Sequence, residues 1–162
     1  MATSVFQGRR GVRPIKAAPA VCYGYRLAFT AIGLPPLEPS FASLEPSFSS
    51  DSCHGVLYTV TWLDWLRICA SEGVPIGYQT LTVSVVPYKP NAPLAPLPTA
   101  THGQTNALTL RYRQPQSVLL NLPPLEVLPP SRRYMGLLRE GAREAGLVGD
   151  WQRRLADRPS LF

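Results

Sequence analysis

Glu72 is the residue of this sequence whose type and position most suggest chemistry. It falls in the last turn of a predicted helix, where its charge opposes the negative end of the helix dipole and a cation would be preferred. A residue that breaks a local rule invites a functional explanation, and a carboxylate offers proton transfer. The local pattern alone favours the alternative, which is a solvated carboxylate at a helix end.

Cysteine and histidine could supply thiolate or metal chemistry, but their spacing indicates neither. Cys22, Cys53 and Cys69 are an odd number of thiols at spacings that match no zinc or Cys-x-x-Cys pattern. His54 follows Cys53 directly, yet sequence neighbours on a strand point to opposite faces, which argues against a thiolate dyad. We therefore expect reduced thiols in an intracellular compartment, and the two histidines of the chain argue against a metal site.

The elements around Glu72 are predicted to run strand, helix, strand. Residues 54–60 form the first strand, and Thr61 then opens the helix, because Asp64 three residues later completes the form of a capping box. Gly73 ends the helix. Residues 79–86 alternate between apolar and hydroxyl side chains, which is typical of a long half-buried strand.

The rest of the chain adds strands, loops and a helical tail. Residues 21–29 alternate as one half-buried strand, the proline-rich residues 34–50 are predicted to be a loop, and residues 106–112 return to the sheet. Ser131 caps a longer helix, and a short helix covers residues 151–155. The summed pattern predicts an α+β fold, a small mixed β-barrel with a short inserted helix and a C-terminal helical segment.

Length and composition indicate one domain with many irregular connections. The chain has 162 residues, of which 45% are hydrophobic and 18 are proline. No apolar run approaches the ~20 residues that a membrane span needs, so we expect none.

The positive charge of the chain is concentrated near its start. Five bases and no acids precede Glu38, within a net charge of +6. We divide the chain into a basic N-terminal arm, residues 1–20, and a domain, residues 21–162. The arm is interpreted as a solvated segment; the alternatives are a targeting peptide and an anion-binding arm. No nucleic-acid partner is expected, because no stacking aromatics interleave with the bases.

Three phrases together resemble the γ-glutamyl cyclotransferase family, and more narrowly its plant and algal branch. Residues 24–29 resemble the family's Gly-Tyr-Arg-Leu-Ala-Phe strand. Residues 55–58, followed by Glu72 with its glycine and then Tyr78, are similar to its strand, helix, Glu-Gly turn and following tyrosine. Residues 130–134 begin a phrase similar to its C-terminal helix. The resemblance spans nearly the whole chain.

The resemblance implies an activity and a role for two residues. In this family the α-amine of a γ-glutamyl amino acid, amine or peptide attacks its own γ-carbonyl, releasing 5-oxoproline and the amino acid or amine. Glu72 matches the family's general acid/base, and no cofactor or metal is implied. Tyr78 matches a tyrosine that recurs after the family's Glu-Gly turn, and this match implies that Tyr78 binds substrate in the pocket; the alternative is a barrel tyrosine with an exposed tip. The expected compartment is cytoplasmic or plastid.

One family feature does not occur in the sequence. Relatives hold the substrate with an N-terminal strand and a Tyr-Gly-Ser-Asn loop, whereas the one Tyr-Gly here, Tyr23-Gly24, continues into Tyr25-Arg26. Either Met1 corresponds to an internal methionine of a longer form, or the loop has been lost. The first alternative predicts an active cyclotransferase. The second predicts a catalytically inactive scaffold or assembly subunit. The expected protein partner is a second copy of the chain, in a homodimer, or the other members of a larger assembly.

Overall fold

A computed structural model describes residues 11–34, 37–96, 103–113 and 129–161. The longest helix in these ranges has 13 residues, and none is long and apolar enough to cross a bilayer. In chain order the elements are β1 (Lys16–Tyr23), β2 (Tyr25–Leu34), β3 (Glu38–Pro46), β4 (Ser52–Thr59), α1 (Trp62–Ser71), β5 (Tyr78–Pro87), β6 (Thr105–Tyr112), α2 (Arg132–Glu144) and α3 (Gly149–Ala156).

The strands form a curled half-barrel. Four of them pair antiparallel in the order β4-β1-β5-β6, and β2 pairs antiparallel with β3. The two sheets meet where β6 approaches β3, since the Tyr112 N–H donates to Ser43 Oγ at 3.1 Å. The predicted α+β class, with an inserted helix and a C-terminal helical segment, is confirmed.

The prediction of a single strand over residues 21–29 was wrong. Gly24 adopts φ +75°, a left-handed conformation that favours glycine, and it separates β1 from β2. Its N–H donates to the Asp51 carbonyl at 2.9 Å, and its own carbonyl accepts from the Ser47 N–H at 2.8 Å. The chain therefore changes sheet at this glycine.

The predicted division at residue 20 falls inside strand β1. That strand begins at Lys16 and pairs with β4 over its whole length, so residues 16–20 belong to the sheet. Residues 1–10, which hold part of the predicted basic arm, lie outside the described residues. The arm itself stays a prediction.

The prediction of a loop over residues 34–50 was also wrong, because strand β3 occupies residues Glu38 to Pro46. Its prolines suggested a break in secondary structure. Pro39 and Pro46 instead lie near the start and at the end of a strand within a two-stranded sheet, where a missing N–H is tolerated. The hairpin of β2 and β3, which the proline content argued against, thus forms one wall of the half-barrel.

Three apolar clusters hold these layers together. The largest joins β2 to the C-terminal helices through Phe29, Met135 and Trp151. The second is formed by small residues of the neighbouring strands β1 and β5, including Cys22 and Val83. The third packs helix α1 against the sheet; its members are Val12, Ile68, Tyr58, Val60, Trp65 and Leu110.

Candidate functional site

Both predicted ends of helix α1 are confirmed. Thr61 Oγ1 accepts from the Asp64 N–H at 3.1 Å, which satisfies one of the free donors of the first turn. At the other end Gly73 has φ +69°, and the N–H of Val74 reaches back to the carbonyl of Cys69 at 3.0 Å. This is a glycine-dependent helix stop.

Glu72 lies at the C-cap of α1, one residue beyond the last helical position, and it is half-buried. Its N–H donates to the Ile68 carbonyl at 3.1 Å, so its backbone is held by the helix. The residue therefore sits at the negative end of the helix dipole, as the sequence predicted. The cap therefore fixes the position of the Glu72 backbone, from which the carboxylate side chain extends.

A compact turn connects Glu72 to Tyr78. The N–H groups of Ile76 and Gly77 both donate to the Gly73 carbonyl, at 2.8 and 2.9 Å. A Cβ at Gly77 would lie 3.8 Å from the Glu72 carbonyl oxygen, so the chain folds back on itself here. The two predicted site residues thus stand at the two ends of one turn.

Arg113 braces this turn from the end of β6. Its N–H donates to the Gly77 carbonyl at 2.9 Å, and its Nη1 donates to the Pro75 carbonyl, also at 2.9 Å. The sequence offered no signal for this role, because the two segments are far apart along the chain.

Tyr78 is half-buried and lies opposite Tyr112 in the β5-β6 register, with the ring centroids 5.6 Å apart. Because side chains alternate along a strand, Leu110 shares the face of Tyr112. Leu110 packs with Ile68 of α1. The tyrosine pair therefore occupies the face of the sheet that α1 covers, on the same side as the helix that carries Glu72.

Sequence reasoning missed a buried carboxylate, Glu45. It is 1% exposed and accepts from Thr30 Oγ1 at 3.2 Å and Ser43 Oγ at 2.7 Å. Arg111 adds a forked contact, from Nε at 2.9 Å and Nη2 at 2.7 Å. Arg111 and Tyr112 are neighbours on one strand, so this network lies on the opposite face of β6 from the tyrosine pair.

The thiols of Cys22 and Cys53 are held in their protonated form. Burial raises the pKa of Cys53 to about 12 and that of Cys22 to about 11. His54 Nδ1 lies 3.0 Å from the Tyr88 hydroxyl, and Cys53 Sγ contacts the His54 carbonyl. Within the described ranges, no three His, Cys, Asp or Glu side chains gather closely enough to hold a metal ion.

A cavity of about 610 Å³ opens elsewhere on the molecule, between β2, the start of β4 and the end of α3. Three arginines line it, Arg26, Arg154 and Arg158, together with Trp151. Neither Glu72 nor Tyr78 is among the described residues that line it. The predicted site and this cavity are separate features.

Solved structures define the class of fold. A structure described as a γ-glutamyl cyclotransferase superposes with a TM-score of 0.72 at 17% identity, covering 99% of this chain and 83% of that one. The architecture is therefore that of the γ-glutamyl cyclotransferase fold. No protein-family model matches the chain.

Two fungal proteins are similar in sequence. A γ-glutamyl cyclotransferase of Claviceps purpurea, gliK, is 30% identical over 164 residues, covering 98% of this chain and 66% of that protein. A γ-glutamyl cyclotransferase of Aspergillus oryzae, aclK, is 30% identical over 160 residues, covering 90% of this chain and 53% of that protein. The chain thus spans between about half and two thirds of the length of these relatives. It belongs to the γ-glutamyl cyclotransferase-like family.

Proposed function

We propose that the protein is a γ-glutamyl cyclotransferase that releases 5-oxoproline from a γ-glutamyl amino acid, amine or peptide. The observation that carries this proposal is the 30% identity to a protein of that name across 98% of the chain. The geometry supports it, because the turn between α1 and β5 holds a carboxylate and a tyrosine at its two ends. Glutathione is one peptide of the proposed substrate class.

In the proposed reaction, the α-amino nitrogen of the substrate bonds to its own γ-carbonyl carbon, and the C–N bond of the γ-amide breaks. Glu72 accepts a proton from the attacking amine and gives it to the departing nitrogen, so one carboxylate serves both transfers. Nucleophile and electrophile belong to one molecule, and a site that keeps the substrate curled supplies much of the remaining rate advantage.

Tyr78 is proposed to line the substrate pocket. Its hydroxyl can donate a hydrogen bond to a carboxylate or carbonyl oxygen of the substrate. The centroid of the Tyr112 ring lies 5.6 Å from that of the Tyr78 ring, and this contact restricts the orientations that the Tyr78 ring can take. Tyr78→Phe should therefore raise the KM more than it lowers kcat.

The test of Glu72 uses the full-length protein, a γ-glutamyl dipeptide and a measurement of 5-oxoproline by mass spectrometry. Glu72→Gln keeps the size of the side chain and removes its proton chemistry. We expect the rate to fall by roughly 10² to 10⁴. Undiminished turnover by this variant would refute the role of Glu72.

Glu144→Gln is the matched control, since Glu144 is an exposed carboxylate in the last position of α2. Its rate should equal that of the unchanged protein. If the unchanged protein released no 5-oxoproline from γ-glutamyl dipeptides, amines or glutathione, the proposed function would be wrong.

A further inference from the structure

The cavity beside α3 has the size and mixed lining of a small-molecule site. Its volume, about 610 Å³, falls in the range of roughly 300 to 1,000 Å³ that ligand pockets occupy. Leu27, Leu155 and Trp151 supply apolar wall, and charged side chains of both signs complete it. The proposed reaction at Glu72 uses none of these residues.

The positive side of the cavity is built from guanidinium groups. Arg158 is held in place, because its Nη2 donates to the Leu27 carbonyl at 3.1 Å and its Cζ lies 5.1 Å from the centroid of the Phe29 ring. Arg154 lies over the Trp151 ring, with its Cζ 5.2 Å from the ring centroid, and forms no ion pair with a described residue. Its forked donors are well suited to a carboxylate.

The negative side of the cavity comes from Asp51 and Asp157, which also line it. Asp51 accepts from the Ser47 hydroxyl, and Asp157 forms the exposed C-cap of α3. The C-terminal end of α3 adds a negative partial charge. A simple anion or a simple cation would therefore meet a repelling group, whereas a molecule carrying both charges meets a partner for each.

We infer that this cavity binds a small zwitterion of the α-amino acid class, at a site distinct from Glu72. Arg154 and Arg158 receive its carboxylate, and Asp157 receives its ammonium group. An apolar side chain fits against Leu27, which lines the cavity and is half-buried.

Calorimetric titration of the full-length protein with L-leucine tests the inference. N-acetyl-L-leucine lacks the ammonium charge and L-leucinamide lacks the carboxylate, so each loses one charged hydrogen-bond partner. We expect each analogue to bind about tenfold more weakly or worse. If either analogue bound as tightly as L-leucine, or if L-leucine gave no saturable binding, the inference would be overturned.

Substitutions then locate the site. Arg154→Gln and Asp157→Asn are changes at exposed positions, and each should weaken L-leucine binding about tenfold. Arg153→Gln is the matched control on the same helix, because Arg153 pairs with Asp150 and is not among the described residues that line the cavity. Its affinity should be unchanged. Unchanged affinity in either of the first two variants overturns the assignment.

Glu72→Gln separates this inference from the proposed function. That variant should keep its affinity for L-leucine although its turnover is lost, since Glu72 does not line the cavity. A matching loss of L-leucine binding would place the amino acid in the catalytic site and overturn the inference of a separate site.

Discussion

At the scale of single residues, His54 shows how packing decides protonation. Its Nδ1 faces the Tyr88 hydroxyl at 3.0 Å, and its ring lies 5.2 Å from the Trp151 ring, centroid to centroid. Burial lowers the pKa of His54 to about 4, the charge of Arg154 contributes to this lowering, and Asp150 opposes it. The imidazole is therefore neutral in the folded protein at pH 7.

The depressed pKa predicts that acid destabilises the fold through His54. The unfolded chain binds a proton at this residue below about pH 6.5, while the folded chain does not until about pH 4. The unfolded state thus holds more protons in this window, so the free energy of unfolding rises with pH from about 4 to 6.5. Urea unfolding at a series of pH values measures the trend.

His54→Gln removes the titrating group and is the comparison for this prediction. The difference in unfolding free energy between the unchanged protein and the variant should shift in favour of the variant as the pH falls below about 6.5. A difference that stays constant between about pH 4.5 and 7 would contradict the predicted pKa effect.

At the scale of elements, the end of α1 carries the candidate site. Gly73 permits the helix to stop there, and two N–H groups of the following turn converge on its carbonyl. No atom lies within 4 Å of a Cβ placed at Gly73, so a substitution there meets only the backbone strain of φ +69°.

Gly73→Ala should lower the free energy of unfolding by about 1 to 2 kcal/mol, the cost of a left-handed conformation for a residue with a Cβ. We also expect slower 5-oxoproline release, because relief of that strain moves the cap on which Glu72 sits. Urea unfolding and the product assay measure the two effects.

Gly136→Ala serves as the control for the Gly73 substitution. Gly136 lies inside α2 with open space where a Cβ would stand, and alanine there should stabilise the protein by about 0.5 to 1 kcal/mol. Activity should be unaffected. If Gly73→Ala were as stable and as active as the unchanged protein, the strained cap would have no role.

At the scale of the whole molecule, one polar network joins the two sheets. Glu45 of β3 is fully buried and Arg111 of β6 is partly exposed, and their contact spans 66 residues of sequence. A buried charge that loses its partner carries the full cost of desolvation. The half-barrel thus depends on both members being present.

Arg111→Met should lower the free energy of unfolding by about 3 kcal/mol, because it leaves the buried Glu45 carboxylate without its cation. The double variant Glu45→Met with Arg111→Met should recover most of that loss, since apolar residues of similar volume can replace a buried pair. A double-mutant cycle in urea measures the coupling. Additive effects of the two single substitutions would contradict a role for the pair in joining the sheets.

The features that the sequence predicted correctly have local causes. Thr61 and Ser131 cap helices through bonds to residues three positions ahead, and Gly73 ends a helix through its own backbone freedom. Such signals are contained in a few consecutive residues. Glu72 and Tyr78 are candidate site residues through family resemblance, and their roles stay a prediction; the structure adds the turn that joins them.

The features that the sequence did not predict depend on distant partners. Strand β3 is stabilised by pairing with β2, which outweighs its prolines. Glu38, a residue of that strand, accepts from both the N–H and the hydroxyl of Ser131, 93 residues away. The arginines of the cavity likewise come from opposite ends of the chain. No local sequence pattern predicts contacts between residues so far apart along the chain.

The contact between Arg158 and the Leu27 carbonyl joins residues 131 positions apart, and it has a consequence for synthesis on the ribosome. At about 5 to 20 residues per second, β2 waits on the order of 10 seconds before Arg158 is made. During that time Phe29 lacks the cover that α2 and α3 provide. The hairpin of β2 and β3 therefore emerges with Phe29 uncovered, and it gains this apolar cover only after the C-terminal helices have been synthesised.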